Sequence, residues 1–245
     1  MLKLPSSLRP KKETEFVRLG KANDGGYVVP ANAVKESDLL LSFGLDDDWS
    51  FEKDFYKTGN KNIIICDGSV NFNFWVKKII KDIIQIFRFE VSVKKIFIDL
   101  LQAFKYYIFF SKKRINHLKK FLVSENFEIL SSKKKNQITL RDLVENKNYN
   151  NILLKIDIEG NEYRILDELI KYQNLFSSLV IEFHNCDLFL KKIENFISEF
   201  KLELVHIHVN NFGDLRKDFF PTVIEMTFSK DAYNRNRNNF QFPNL

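Results

Sequence analysis

Acids, amides and imidazoles follow apolar runs at several points in this 245-residue chain. Asp67 and Gly68 follow NIIIC, Asp157 and Glu159 follow ILLKI, and His184 and Asn185 follow LVIEF. His208, Asn210 and Asn211 close the run HIHVNN. Groups of these types can orient a hydroxyl and take its proton. An imidazole titrating near pH ~6.5 suits that task, so His184 is the first candidate for a general base, with Asp157 orienting it or the substrate. The rival arrangement makes Asp157, His184 and Asn185 ligands of a divalent metal, Mg or Mn, that lowers the hydroxyl pKa. If the strand stays extended, residues 157 and 159 share a face about 6.6 Å apart, and Gly160 permits a sharp entry into the next helix. Glu159, Asn185, His208, Asn210 and Asn211 would then border an acceptor. The plainer alternative is that Glu159 or Glu162 caps that helix, and that His206 and His208, two residues apart, share a face of one strand without chemistry.

Such residues need a frame. Leu39–Phe43, Ile63–Cys66, Ile152–Ile156 and Leu179–Phe183 are short apolar runs that read as strands buried on both faces. Helical spacing in Ser50–Tyr56 and Glu162–Tyr172 alternates with them, which predicts a doubly wound, mostly parallel α/β sheet. Glu203–Asn210 and Pro221–Ser229 are joined too closely for a helical crossover and should form an antiparallel pair at the sheet edge. Residues 72–122, dense in aromatics and lysines, read as an insertion of two or three amphipathic helices, with His117 exposed. A lid, a homodimer surface and peripheral membrane contact are its candidate roles; nucleic-acid binding is the weakest.

In a sheet of this kind ligands sit beyond the carboxyl ends of the strands, where strand order reverses. Asp67, about 20 residues beyond the first-strand turn, is placed to accept both ribose hydroxyls of a nucleoside. The first loop, SFGLDDD, carries only Gly44 where a dinucleotide would need several glycines. Asp46 and its two neighbours would repel phosphates. A nucleoside with positive charge and no phosphate fits better, which points to S-adenosylmethionine.

Hydrophobic residues make up 44% of the chain, enough for one domain over 1–245 carrying the insertion. Cys66 and Cys186 both lie at or just beyond apolar runs, and no CxxC motif is present, so the natural setting is a reducing cytoplasm. No signal peptide or long apolar span is visible, which predicts a soluble protein. The net charge of +6 belongs to a sequence rich in lysine and asparagine throughout, so it does not argue for a nucleic-acid partner.

The segment LLKIDIEGNEYRIL resembles the KIDVEG signature of the FkbM-type S-adenosylmethionine-dependent methyltransferases, and ITLRDLV, LVIEFH and RLGKANDGGYVVP extend the likeness over most of the chain outside the insertion. The resemblance implies the class I Rossmann-like fold and O-methylation of a sugar hydroxyl in surface polysaccharide (capsule or lipopolysaccharide) biosynthesis, on a nucleotide sugar or the glycan. It also implies that Asp24, Gly25, Gly26 and Tyr27, otherwise a turn before a strand, fold over the cofactor, which Gly44, Asp46, Asp67, Gly68 and Asp157 help hold. A nicotinamide-dependent sugar-nucleotide oxidoreductase would need phosphate-cradling glycines that are missing, and a non-enzymatic glycan or membrane-surface binder leaves the strand-end acids without a role.

Overall fold

The computed structural model describes residues 4–22, 25–126, 135–145, 147–210 and 220–234. Short strands β1 (Lys12–Glu13), β2 (Phe16–Leu19) and β3 (Tyr27–Pro30) lead through α1 (Ala31–Glu36) into β4 (Leu39–Phe43), α2 (Ser50–Lys57) and β5 (Asn62–Cys66). Two long helices follow, α3 (Phe72–Phe87) and α4 (Lys94–Phe110), then β6 (Ile115–Leu118), β7 (Phe121–Leu122), β8 (Gln137–Ile138) and α5 (Leu140–Val144). The remainder alternates β9 (Ile152–Ile156), α6 (Leu166–Tyr172), β10 (Phe176–His184), α7 (Cys186–Glu199), β11 (Glu203–Val209), β12 (Val223–Ser229) and β13 (Tyr233–Asn234).

Seven of these strands form one sheet in the order β11-β12-β10-β9-β4-β5-β6. β4 pairs in parallel with β5 and β9, β9 with β10, and β5 with β6, while β12 runs antiparallel to both its neighbours. This is a doubly wound, Rossmann-like sheet. The expected C-terminal antiparallel pair forms, with β12 inside and β11 outermost. The central strands β4 and β9 are buried at every position, because helices cover both faces. One face carries Leu39, Leu41, Phe43, Leu154 and Ile181 under α5, α6 and α7; the other carries Leu40, Leu153 and Val180 under α1, α2, the β2–β3 hairpin and α4.

The helical insertion ends earlier than expected. Residues 115–118 are a parallel strand of the main sheet, and His117 is half-buried, its Nδ1 2.5 Å from the Tyr106 hydroxyl and its Nε2 3.2 Å from the Asp67 carbonyl oxygen. INHL offers only two apolar residues between lysine pairs, too weak a pattern to mark an edge strand. The helix expected over 162–172 is a 3₁₀ turn, Glu162–Arg164, followed by α6.

Candidate active site at the carboxyl edge of the sheet

From β4 the chain moves outward to β5 and β6, then crosses back to β9 on the other side of β4. The strand order therefore reverses between β4 and β9, which is where such sheets form their ligand crevice. Asp157 leaves β9 and Asp67 leaves β5 at the same edge of the sheet. The Asp157 amide donates to the Phe43 carbonyl at 2.9 Å and the Gly44 amide to the Cys66 carbonyl at 3.3 Å, which locks the three exits together. Gly44 has φ +83°, and a Cβ there would lie 1.6 Å from the Asp157 carbonyl oxygen. Only glycine allows this approach.

A row of titratable side chains crosses four strands on one face. His208 pairs with Glu225, Glu225 with Glu182, and the β9–β10 register continued by one residue sets Glu182 beside Asp157. The Tyr27 hydroxyl lies 2.9 Å from Asp157 Oδ2 and 3.1 Å from Glu182 Oε2. One phenol proton can serve only one of them, which favours a proton on Glu182. Burial, then the Asp157 charge, raises the Glu182 pKa in that same sense. Asn210 Nδ2 donates to Glu182 Oε1 at 2.9 Å. Beneath this row, Lys155 Nζ donates to the Gly44 carbonyl at 2.9 Å and stands 4.0 Å from buried Glu52, which accepts from Ser42 Oγ at 2.6 Å.

His184 shares the face of Glu182, two residues along β10. Its Nδ1 lies 3.0 Å from Glu162 Oε1, and its Nε2 faces Glu159 at 3.5 Å, Glu182 at 3.8 Å and Asp157 at 4.0 Å. Burial alone would lower its pKa; the Glu162 hydrogen bond and the surrounding carboxylate charges override that and raise it to about 9. That shift favours the imidazolium form, in which both ring nitrogens donate. Fully buried Glu162 also accepts the amides of Ile158 and Gly160, at 3.2 and 3.1 Å. It both braces the turn after β9, as a cap would, and orients the imidazole.

The strand does not stay extended to 159. β9 ends at Ile156, and Glu159 and Gly160 turn back with φ of +53° and +91°. The expected alternation is replaced by a turn, which still brings the Glu159 carboxylate to His184. Asn185 also has positive φ, and its Nδ2 would lie 3.6 Å from a Cβ at Gly160. Asp157 and His184 of the expected metal set, together with Glu182, have ligand atoms within 4.8 Å of one another.

On the β5 side, Asp67 is occupied by its own chain. Its Oδ2 accepts from the amides of Leu45 (2.8 Å) and Asp46 (3.2 Å), and its Oδ1 from Ser69 N (2.7 Å), Ser69 Oγ (2.5 Å) and Val70 N (3.4 Å). Although burial opposes it, these donors lower the carboxyl pKa. Asp67 thus braces the first loop, and a ribose would compete with those donors. The Phe121 ring lies over Gly68, where a Cβ would be 2.4 Å from it. Nor is the aspartate run bare: Asp47 pairs with Lys78, and Asp48 with Lys21 at 3.0 Å. Burial, then Asp47, raises Asp46.

In the β2–β3 hairpin, a Cβ at Gly26 would strike the Lys21 carbonyl at 1.7 Å and one at Gly25 the Asp48 carboxylate at 2.4 Å. These glycines close the hairpin onto the first loop. His208 sits in the row, its pKa lowered by burial and then by Arg18. The expectations for Asp24 and Asn211 lie outside the described residues. Glu182 was missed from the sequence, although a lone acid two residues before His184 in an apolar strand was a readable signal.

No protein-family model matches the sequence, and no curated protein does. Among solved structures, a candidate RNA methyltransferase from Pyrococcus horikoshii aligns at TM-score 0.39 and 10% identity, over 80% of this chain and 74% of its own. The precorrin-6y C5,15-methyltransferase of Geobacter metallireducens GS-15 aligns at 0.39 and 10%, over 83% and 84%. The m1A22 tRNA methyltransferase of B. subtilis aligns at 0.36 and 9%, over 94% and 67%. The fold assignment stands on the strand order and register described above.

Proposed function

We propose that the protein is an S-adenosylmethionine-dependent O-methyltransferase whose acceptor is a sugar hydroxyl, on a nucleotide-activated sugar or an assembled surface glycan. The observation that carries this reading is the acid cluster at the carboxyl ends of β9 and β10, with Asp157, Glu159, Glu162 and Glu182 gathered around His184. With His184 protonated the cluster remains net negative. It therefore favours a sulfonium and ammonium ligand and offers acceptors to the many hydroxyls of a sugar.

S-adenosylmethionine supplies a methyl group already activated for transfer. The chain must hold the acceptor in line and remove one proton. Asp157, the more open of the two carboxylates that share Tyr27, takes that proton; His184 donates a hydrogen bond to the acceptor oxygen and holds the carboxylates together. Glu162 and Tyr163, whose hydroxyl donates to the His184 carbonyl at 2.7 Å, position His184. The first loop and the exposed Phe121 face beside Asp67 would hold the nucleoside, its base lying against the ring.

Thermal denaturation with S-adenosylhomocysteine and with NAD tests the cofactor. A rise with the first alone is expected; a rise with NAD alone overturns the reading in favour of an oxidoreductase. Incubation with nucleotide-activated sugars, read by mass, should show the gain of one methyl. A second reading follows from the 4.8 Å grouping of Asp157, Glu182 and His184, whose oxygen-rich donor set suits Mg or Mn. Activity that survives dialysis against EDTA, with no thermal shift on adding Mn, would exclude the metal.

A further inference from the structure

The hairpin of α3 and α4 is built inside out. Asp82 and Asp99 are 3% and 1% exposed between the helices, whereas Phe87, Phe89, Phe97 and Phe104 are 80%, 96%, 69% and 62% exposed. On α4, Phe97, Leu101, Phe104 and Ile108 follow one another at spacings of three and four residues and are all exposed, a continuous apolar stripe along one side. Ile80, Ile84 and Phe87 form a second exposed apolar stripe on α3, and Phe89 and Val93 lie at the tip. Asp99 is paired with Lys95 and lies 3.7 Å from Lys78, and Asp82 hydrogen-bonds Asp99 while its Oδ2 is buried without a partner. Exposed apolar stripes on both helices, joined at an apolar tip, mark a docking surface.

Charge identifies the occupant. Residues 72–114 contain ten basic and three acidic side chains, a net +7 in a chain whose total is +6, and two of the three acids are the buried pair. Against a second copy, this face would set like charge on like. An anionic lipid surface instead takes the apolar stripe into its acyl boundary and the flanking Lys77, Lys81, Arg88, Lys94 and Lys105 among its headgroups. At 16 and 17 residues the helices are each about 25 Å long, and among the described residues none is long and apolar enough to cross a membrane. We infer that the α3–α4 hairpin docks the protein on anionic phospholipid membranes, lying in the interface with its phenylalanine tip inserted. Lys78 pairs with Asp47, and Gln102 donates to the Asp47 carbonyl, so the docked hairpin is fastened to the first loop of the crevice. The inference stands independently of the methylation chemistry.

The test is sedimentation of the full chain with vesicles of phosphatidylcholine alone and with about 30% phosphatidylglycerol, at about 0.1 and about 0.5 M salt. Recovery on the anionic vesicles should be about tenfold higher and should fall at high salt. The triple variant Phe87→Ser, Phe89→Ser, Phe97→Ser should lose about tenfold in binding while keeping its urea midpoint, because these rings pack against little. Equal recovery on both vesicles, or no loss in the triple variant, overturns the inference. So does a dimer in light scattering that the same substitutions dissociate, which would give the face to a second copy.

Discussion

Along β10, Phe176 and Phe183 are buried while the titratable His184 stands at the open carboxyl end; along α3 and α4, Asp82 and Asp99 are buried while Phe87, Phe97 and Phe104 face outward. The two regions draw on the same residue types and place them oppositely. In the sheet, both faces are covered by the chain itself, so apolar residues fill the strands and polar ones collect where the strands stop. In the hairpin, the chain covers only the side where Trp75 and Tyr106 meet Trp49, and the outer sides keep their apolar surface. The sheet is thus a finished core with a site at its rim, and the hairpin is a core lacking its second half.

The largest effect should come from opening the finished core. Phe43 is fully buried in β4 beside the Gly44 turn, and Phe43→Ala should cost about 3–5 kcal/mol, read as a lower urea midpoint at unchanged slope. Asp157→Asn, at the rim rather than in the core, should leave that midpoint nearly in place and cut methyl transfer by about a hundredfold or more, measured by mass on an accepted sugar. Loss of both together would erase the distinction between core and rim.

The apolar centre of this architecture was legible because β4, β5, β9 and β10 are runs of adjacent apolar residues, and Asp67 and Asp157 were found as their exits for the same reason. β6 escaped because an edge strand of four residues between lysines has no run to show. Glu162 and His184 are 22 residues apart, so their bond, and with it the charge on the imidazole, exists only once β9 and β10 are aligned. An extended strand would have carried Glu159 on one face with Asp157; the chain instead turns at Glu159 and Gly160 with positive φ, and Glu162 accepts the amides of Ile158 and Gly160 in that turn.

The charge on His184 gives an intermediate effect. Its folded pKa of about 9 lies above the unfolded value near 6.5, so the cluster's stabilisation is complete below about pH 6.5 and lost as pH rises through about 9, up to about 3 kcal/mol in all. Urea midpoints should fall between pH 6 and 9.5 by more for the native chain than for His184→Gln. A methyl-transfer rate that rises with an apparent pKa near 9 would instead make His184 the base and displace Asp157 from that role.

The smallest effect should come from the unfinished half. Phe89 is almost wholly exposed at the hairpin tip, so Phe89→Ser removes little packing and should change stability in solution by less than about 0.5 kcal/mol, against the several expected for Phe43. The residue also has φ +59°, a conformation that strains any side chain, so Phe89→Gly should raise stability slightly, by about 1 kcal/mol or less. Together the two variants separate ring from backbone: the serine reports what the ring contributes to the fold, the glycine what the turn costs. A fall of several kcal/mol for the serine variant would mean that the ring is covered in solution, and the hairpin would then be a closed core like the sheet.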